Sequence, residues 1–297
     1  KLKVGFIYLG PLGDHGWTYQ HDQGRLALER DLGDQVETVY VEGVPKQGPA
    51  AEEALERLVN DGAKLIFTTS FGYMESTLKV AKRYPHVKFE HATGYKRSEN
   101  VSTYSSRFYE GRYVSGQIAG HLSKTGQAGY VASFPIPEVM RGINAFLLGA
   151  QSVNPEFRMK VIWVNSWFDP DKEANAAKKL IDQGADILTQ HTDSTAVVQI
   201  AEENKVLAFG QASDMTPFAP DYLLTSIINN WGDYYTARTK AVLEGSWFST
   251  DTFGGMDVNM VVMGAFKNMP EQVKRSAKAT TKALASGGVH PFDGPII

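Results

Sequence analysis

Short apolar runs alternate with longer amphipathic ones along nearly all of the 297 residues, and no other feature constrains the fold as much. Lys3-Val4-Gly5-Phe6-Ile7-Tyr8-Leu9, bounded by turn residues, reads as a buried strand. Strands are predicted near 3–9, 36–41, 64–69, 87–92, 101–105, 127–133, 159–164, 186–191, 206–210 and 222–228. Helices are predicted near 17–32, 49–61, 73–84, 108–124, 138–152, 171–183, 194–203, 230–244 and 270–286. Strands that each feed a helix pair in parallel through crossovers, so the fold class is α/β, with doubly wound parallel sheets covered on both faces. Only 251–264 departs from this pattern and reads as extended crossing strands.

A repeat divides the chain. Leu58-Val59-Asn60-Asp61-Gly62-Ala63-Lys64-Leu65-Ile66 is echoed by Leu180-Ile181-Asp182-Gln183-Gly184-Ala185-Asp186-Ile187-Leu188 at an offset of 122 residues. Each reads as a helix end, a glycine turn and a buried strand. Each follows a helix opened by acidic residues, Glu52-Glu53 in one case and Asp169-Pro170-Asp171 in the other. Two similar α/β lobes are expected, in line with a length that suits about two domains.

Composition narrows the function classes. A net charge of −3 provides no field suited to nucleic acid or an anionic membrane surface. No apolar run approaches the ~20 residues that span a bilayer. The absence of cysteine removes disulfides, thiolate zinc sites and cysteine nucleophiles together. A start at Lys1, two residues before the first strand, fits a processed exported chain, and a trimmed domain would look the same. Nucleophile-elbow, Walker A and H-E-x-x-H patterns are missing. Gly10, Gly13 and Gly16 have the wrong spacing for a dinucleotide fingerprint.

Two loops stand out instead. After the first strand, Asp14 sits where it can cap the helix that follows, and Trp17 lies in that helix's first turn. After the strand at 159–164, Asn165-Ser166-Trp167-Phe168-Asp169-Pro170 ends in a strong helix start, Asp169 as cap and Pro170 in the first turn. Capping explains the carboxylates and leaves Trp167 unexplained. Ligands of open α/β sheets bind at the strands' carboxyl ends, where both tryptophans fall. Either each packs its own lobe, or the two close on the faces of a planar ligand.

Asp14-x-x-Trp17, Gly24-Arg25, Tyr84-Pro85, Asn100-Val101, Glu110-Gly111-x-Tyr113-x-x-Gly116, Gly129-Tyr130, Asn154-Pro155, Ser166-Trp167-x-Asp169-Pro170 and Gly184-Ala185-Asp186 occur in order along almost the whole chain. As a set they resemble the basic membrane protein family, substrate-binding proteins of ABC transporters related to purine nucleoside receptors. The resemblance implies a type I periplasmic binding protein fold, two lobes joined by a three-crossing hinge with the ligand in the cleft. Lobe one is expected at 1–122 plus about 248–275, and lobe two at 123–247 plus about 276–297. In nucleoside-binding members, phenylalanines matching Trp17 and Trp167 stack on the base. Those members also carry an acidic residue and a lysine for the ribose hydroxyls. At the matching positions this chain has Ala212, within Gly210-Gln211-Ala212-Ser213-Asp214, and Asn229, four residues after Thr225. A buried hydroxyl without a partner costs about 1–3 kcal/mol, so a free purine base, adenine first, is expected rather than a nucleoside.

The expected ligand contacts are Trp17, Trp167, Asp14, Gly16, Phe71, Gly72, Gln190, Gln211, Asp214 and Asn229, with backbone near Gly94-Tyr95. The resemblance further implies capture without catalysis, no cofactor or metal, a membrane permease as partner and a monomeric state. It places the chain in the periplasm, or outside the cell on a lipid anchor upstream of Lys1. A nucleoside-binding protein of the same family, or a ligand-sensing receptor or regulator domain of the same fold, are the alternatives.

Overall fold

The computed structural model describes residues 1–46 and 48–294. In chain order the elements begin with β1 (Leu2–Ile7), α1 (Trp17–Leu32), β2 (Val36–Val41), α2 (Ala50–Asn60), β3 (Leu65–Thr68), α3 (Met74–Arg83), β4 (Lys88–Ala92) and β5 (Val101–Ser106). There follow α4 (Tyr109–Leu122), β6 (Gln127–Ala132), α5 (Pro137–Gln151), β7 (Arg158–Trp163), α6 (Pro170–Asp182) and β8 (Ile187–His191). Next come α7 (Ala196–Glu203), β9 (Leu207–Ala212), β10 (Leu223–Asn229), α8 (Gly232–Leu243), β11 (Asp251–Gly254), β12 (Val261–Met263) and α9 (Glu271–Ala285). Each predicted strand and helix has a counterpart whose ends differ by no more than two residues.

The strands form two six-stranded sheets, ordered β11-β5-β4-β3-β1-β2 and β12-β10-β9-β8-β6-β7. Every pair is parallel except β10–β12. The stretch 251–264 thus contributes one short strand to the edge of each sheet.

The first compact unit comprises 1–13, 18–106 and 230–254. On one sheet face Leu55, Leu58, Ile66, Val80 and Phe89 are buried together under α2 and α3. On the other, Phe6 stacks on Phe67 with centroids 4.9 Å apart, and Tyr235 of α8 packs 4.4 Å from Phe67. Gly24 lets α1 approach α8, since a Cβ there would lie 2.9 Å from both Trp231 and Tyr235. These contacts place residues 230–247, expected with lobe two, in the first unit.

The second unit comprises 14–17, 107–229 and 255 onward. Its α4, expected with lobe one, buries Val114, Ile118 and Ala119 against Ala128, Tyr130 and Phe146. Two glycines permit the contact between α4 and α5: a Cβ on Gly116 would lie 2.0 Å from the Phe146 carbonyl oxygen, and one on Gly149 2.2 Å from that of Tyr113. Residues 255–275, also expected with lobe one, instead bury Met256 and Val261 in this core, where Val261 pairs with Asn229.

The repeat survives in backbone detail. Gly62 and Gly184 both adopt φ +96°, a left-handed angle that glycine tolerates without a Cβ clash. The Ala63 N–H donates to the Leu58 carbonyl at 3.0 Å, and the Ala185 N–H to the Leu180 carbonyl at 3.1 Å. Each unit therefore closes one helix with the same glycine motif before a buried strand.

Candidate ligand-binding site

The loop after β1 carries Asp14, Gly16 and Trp17. Asp14 is buried and accepts from the Gly16 N–H at 2.9 Å, while α1 starts only at Trp17. His15, at φ +54°, separates Asp14 from α1, and the Asp14 carboxylate accepts from the Gly16 N–H directly before the helix. Residues 14–17 make their contacts with the second unit, while α1, which Trp17 opens, continues in the first from Thr18. The reason is local: Ser213 Oγ donates to the His15 carbonyl, and the His15 ring lies 4.9 Å from that of Phe218. Gly16 faces the Asp193 carbonyl so closely that a Cβ would lie 2.2 Å from its oxygen.

Trp167 follows β7 on a loop closed by Asp169, which accepts from the Lys172 N–H at 3.1 Å, with Pro170 at the first helical position. Glu173 is fully buried; it accepts from the Asp169 N–H at 3.0 Å and, with its other oxygen, from Ser194 Oγ at 2.6 Å. The α6 start is thereby tied to the loop after β8. From that loop the Asp193 N–H donates to the Trp167 carbonyl at 2.8 Å. The Trp167 ring stands 5.4 Å from Phe134 and 5.9 Å from His191. Trp17 and Trp167 are half-buried, whereas Trp231 is a core residue with 1% exposure. Asp193 is therefore where both tryptophan loops converge.

The two glutamines have different roles. Gln211 accepts from the guanidinium of Arg112, which is fully buried, donates to Thr189 Oγ1 at 3.1 Å and lies 4.9 Å over the Phe108 ring. A guanidinium only donates, so the Gln211 carbonyl must face it and the amide NH2 points the other way. Gln190 donates to the carbonyls of Thr192 at 2.9 Å and Ser194 at 2.8 Å, so it braces the turn after β8. Ile187 lies opposite Leu207 in the sheet, so strand alternation sets Gln190 on the Leu188 face and Gln211 on the Phe209 face. The structure does not bring these two amides together as one edge.

Ala212 ends β9 fully buried at φ +65°, and Asn165 precedes Trp167 at φ +53°. With His15, these are non-glycine residues held in left-handed backbone at strand carboxyl ends, the kind of local strain that collects at binding sites. Asn229 is buried at the end of β10. Asp214 is exposed and caps a turn, accepting from the Thr216 N–H at 3.0 Å and its hydroxyl at 2.6 Å.

In the first unit, the remaining expected contacts cluster after β3 and β4. The Phe71 and Tyr95 rings are 6.4 Å apart. Gly72 and Gly94 each leave no room for a side chain, against Lys46 and the His91 ring respectively. His91 is buried with Nδ1 2.7 Å from Thr68 Oγ1, and burial pushes its pKa down to about 3, so it is neutral in ordinary solution.

Arg112, His191, Asp193 and Glu173 neighbour the expected contacts and were not predicted with them. One signal pointed to Asp193: the 122-residue offset of the repeat carries Phe71 onto it. The charged groups acting on Asp193 are acidic. Burial raises Glu138, at the start of α5, to about 7 against the pull of Arg141 and Arg112. A carboxyl raised in the folded state binds more protons there, so its contribution to stability is lost as pH rises from about 4.5 to about 7. The Glu138→Gln variant should match wild type in Tm near pH 4.5, exceed it increasingly up to about pH 7 and keep a constant lead above that, as followed by calorimetry. A constant difference between pH 4.5 and about 7 would contradict this reading.

Two parallel-sheet α/β units with aromatic and amide side chains at their strand ends have the architecture of type I periplasmic binding proteins. The fold is shared with a solute-binding protein of an ABC transporter from Aeropyrum pernix, at TM-score 0.82 and 20% identity over 98% of this chain and 93% of that one. The chain belongs to the family described as ABC transporter substrate-binding protein PnrA-like, which it matches over residues 1–289. It is 61% identical over 296 residues to a purine-binding protein of Brucella abortus, covering 100% of this chain and 84% of that protein. It is 39% identical over 294 residues to a Haloferax volcanii protein named as an ABC transporter glucose-binding protein, covering 99% and 74%. These relatives are binding proteins rather than enzymes, and substrate-binding proteins of ABC transporters work outside the cytoplasm. Among the described residues, no helix is long and apolar enough to cross a membrane.

Proposed function

We propose that this protein captures a free purine base, adenine first, by stacking it on Trp17 and Trp167 with closure of the lobes, and delivers it to a membrane permease. The observation that carries the reading is the convergence of the two tryptophan loops on Asp193, through the 2.8 Å hydrogen bond to the Trp167 carbonyl and the close approach of Gly16. Half-buried indoles at strand carboxyl ends offer flat, apolar faces to a heteroaromatic ring. The similarity to a purine-binding relative supports the same ligand class. Ala212 and Asn229 favour a base over a nucleoside, because neither supplies the acid or cation that a ribose diol would engage. The Haloferax relative's name favours a sugar as the second reading.

Protein purified under native conditions, then denatured, should release adenine or another free purine detectable by mass spectrometry. A released nucleoside would overturn the reading of positions 212 and 229, and a released hexose would overturn the purine class. Periplasmic or lipid-anchored placement, and action as a monomer, are parts of the same proposal.

A further inference from the structure

Asp193 is only 6% exposed, and among the described residues no hydrogen bond or cation reaches its carboxyl group, whose oxygens keep a narrow contact with solvent. Its backbone N–H is taken by the Trp167 carbonyl and its own carbonyl packs on Gly16, so the backbone of this loop is held by both tryptophan loops. The charged groups that act on it are Asp14, Glu173 and Glu138, all acidic. Glu173 has its own donors in Ser194 and Asp169, and Asp14 has the Gly16 N–H. A buried carboxyl with acidic neighbours and no donor is costly to the folded chain, and such groups call for a partner from outside it. Resting on the purine reading above, we propose that Asp193 takes an N–H of the stacked base, so that it is the edge-reading residue between the two indoles.

The chemistry of this contact defines what the site selects. A ring with an exocyclic amine or a ring N–H in the indole plane satisfies the carboxyl, and an analogue lacking that N–H leaves it buried and unmet. The same deficit makes Asp193 a liability in the empty protein. Its removal should therefore stabilise the fold while weakening the ligand, the reverse of what a structural aspartate does.

The test uses Asp193→Leu, near in shape and without an acceptor, and Asp193→Asn, which keeps one acceptor oxygen. Each is titrated calorimetrically with adenine, purine (no exocyclic amine) and 9-methyladenine (no N9–H), and its Tm is measured without ligand. Wild type should prefer adenine to one of the two analogues by about 10- to 100-fold, as expected of a charge-assisted hydrogen bond. D193L should erase that preference and D193N restore part of it, while both raise the ligand-free Tm by about 2 °C or more. Equal weakening for all three ligands with a lowered Tm would reveal a structural aspartate and overturn the proposal, as would unchanged affinity. If wild type binds none of the three, the purine reading itself fails, and that outcome is distinct from one in which only Asp193 is misassigned.

Discussion

Replacing Trp17 or Trp167 by Ala is expected to weaken purine binding by about 10- to 100-fold in each case while the fold survives. The magnitude follows from base–aromatic stacking, worth about 1–3 kcal/mol per ring by alanine substitution. Both indoles are half-buried, Trp17 outside the core clusters and Trp167 at the margin of one. Trp167 touches Phe134 and His191, and its truncation should lower Tm modestly. Trp231 is the internal control. With 1% exposure and its ring stacked on His21 at 4.8 Å, it should lose stability first on truncation. Calorimetric titration together with thermal melts separates these outcomes, and retained affinity in both W17A and W167A would sink the clamp.

The second large effect is on stability. Glu90 is fully buried in β4 and accepts from Tyr234 Oη at 2.6 Å, from Trp247 Nε1 at 2.8 Å and from Arg238. The Arg238 guanidinium also lies 5.0 Å over the Trp247 ring and donates to Ser102 Oγ at 2.8 Å. One carboxylate thus fastens α8 and the segment after it, which return to this unit after the whole of 107–229, onto the centre of the first sheet. Glu90→Ala would leave Arg238, its side chain 13% exposed, without its counter-charge, a loss of about 3 kcal/mol for the unit. Denaturant melts should report it, and Glu90→Gln, which keeps the acceptor oxygen, should lose less. If the alanine variant melted like wild type, the network would not be what holds residues 230–247 in place.

Much of this molecule is legible in its sequence because its determinants are local. An apolar run between turn residues makes a buried strand almost regardless of context, and Gly62 and Gly184 mark the same helix ending because only glycine holds φ +96° cheaply. Asp169-Pro170 starts a helix by chemistry contained in four residues. What escaped was set by contacts distant in sequence. The helix α4 belongs to the second unit because Gly116 and Gly149 let it meet α5, and neither glycine signals that approach on its own. The loop with Trp17 follows β1 in chain order, and its engagement by Ser213, Phe218 and Asp193 has no local signature. Gln190 and Gln211 look alike in sequence, yet strand alternation and Arg112 give them different roles. Asp193 was marked in the sequence by nothing but the repeat offset from Phe71, because an aspartate in a polar turn is ordinarily solvated, and its burial beside other carboxylates is what sets it apart.

The central claim is that the ligand is a purine base without its sugar. Parallel calorimetric titrations of the ligand-stripped wild-type protein with adenine, adenosine and glucose address it most directly. Adenine should bind at least about 10-fold more tightly than adenosine, since Ala212 and Asn229 supply neither the acid nor the cation that would hold a buried ribose diol, at a loss of about 1–3 kcal/mol, and glucose should not bind. Tighter binding of adenosine would contradict the account of positions 212 and 229, and tight binding of glucose alone would contradict the purine site altogether.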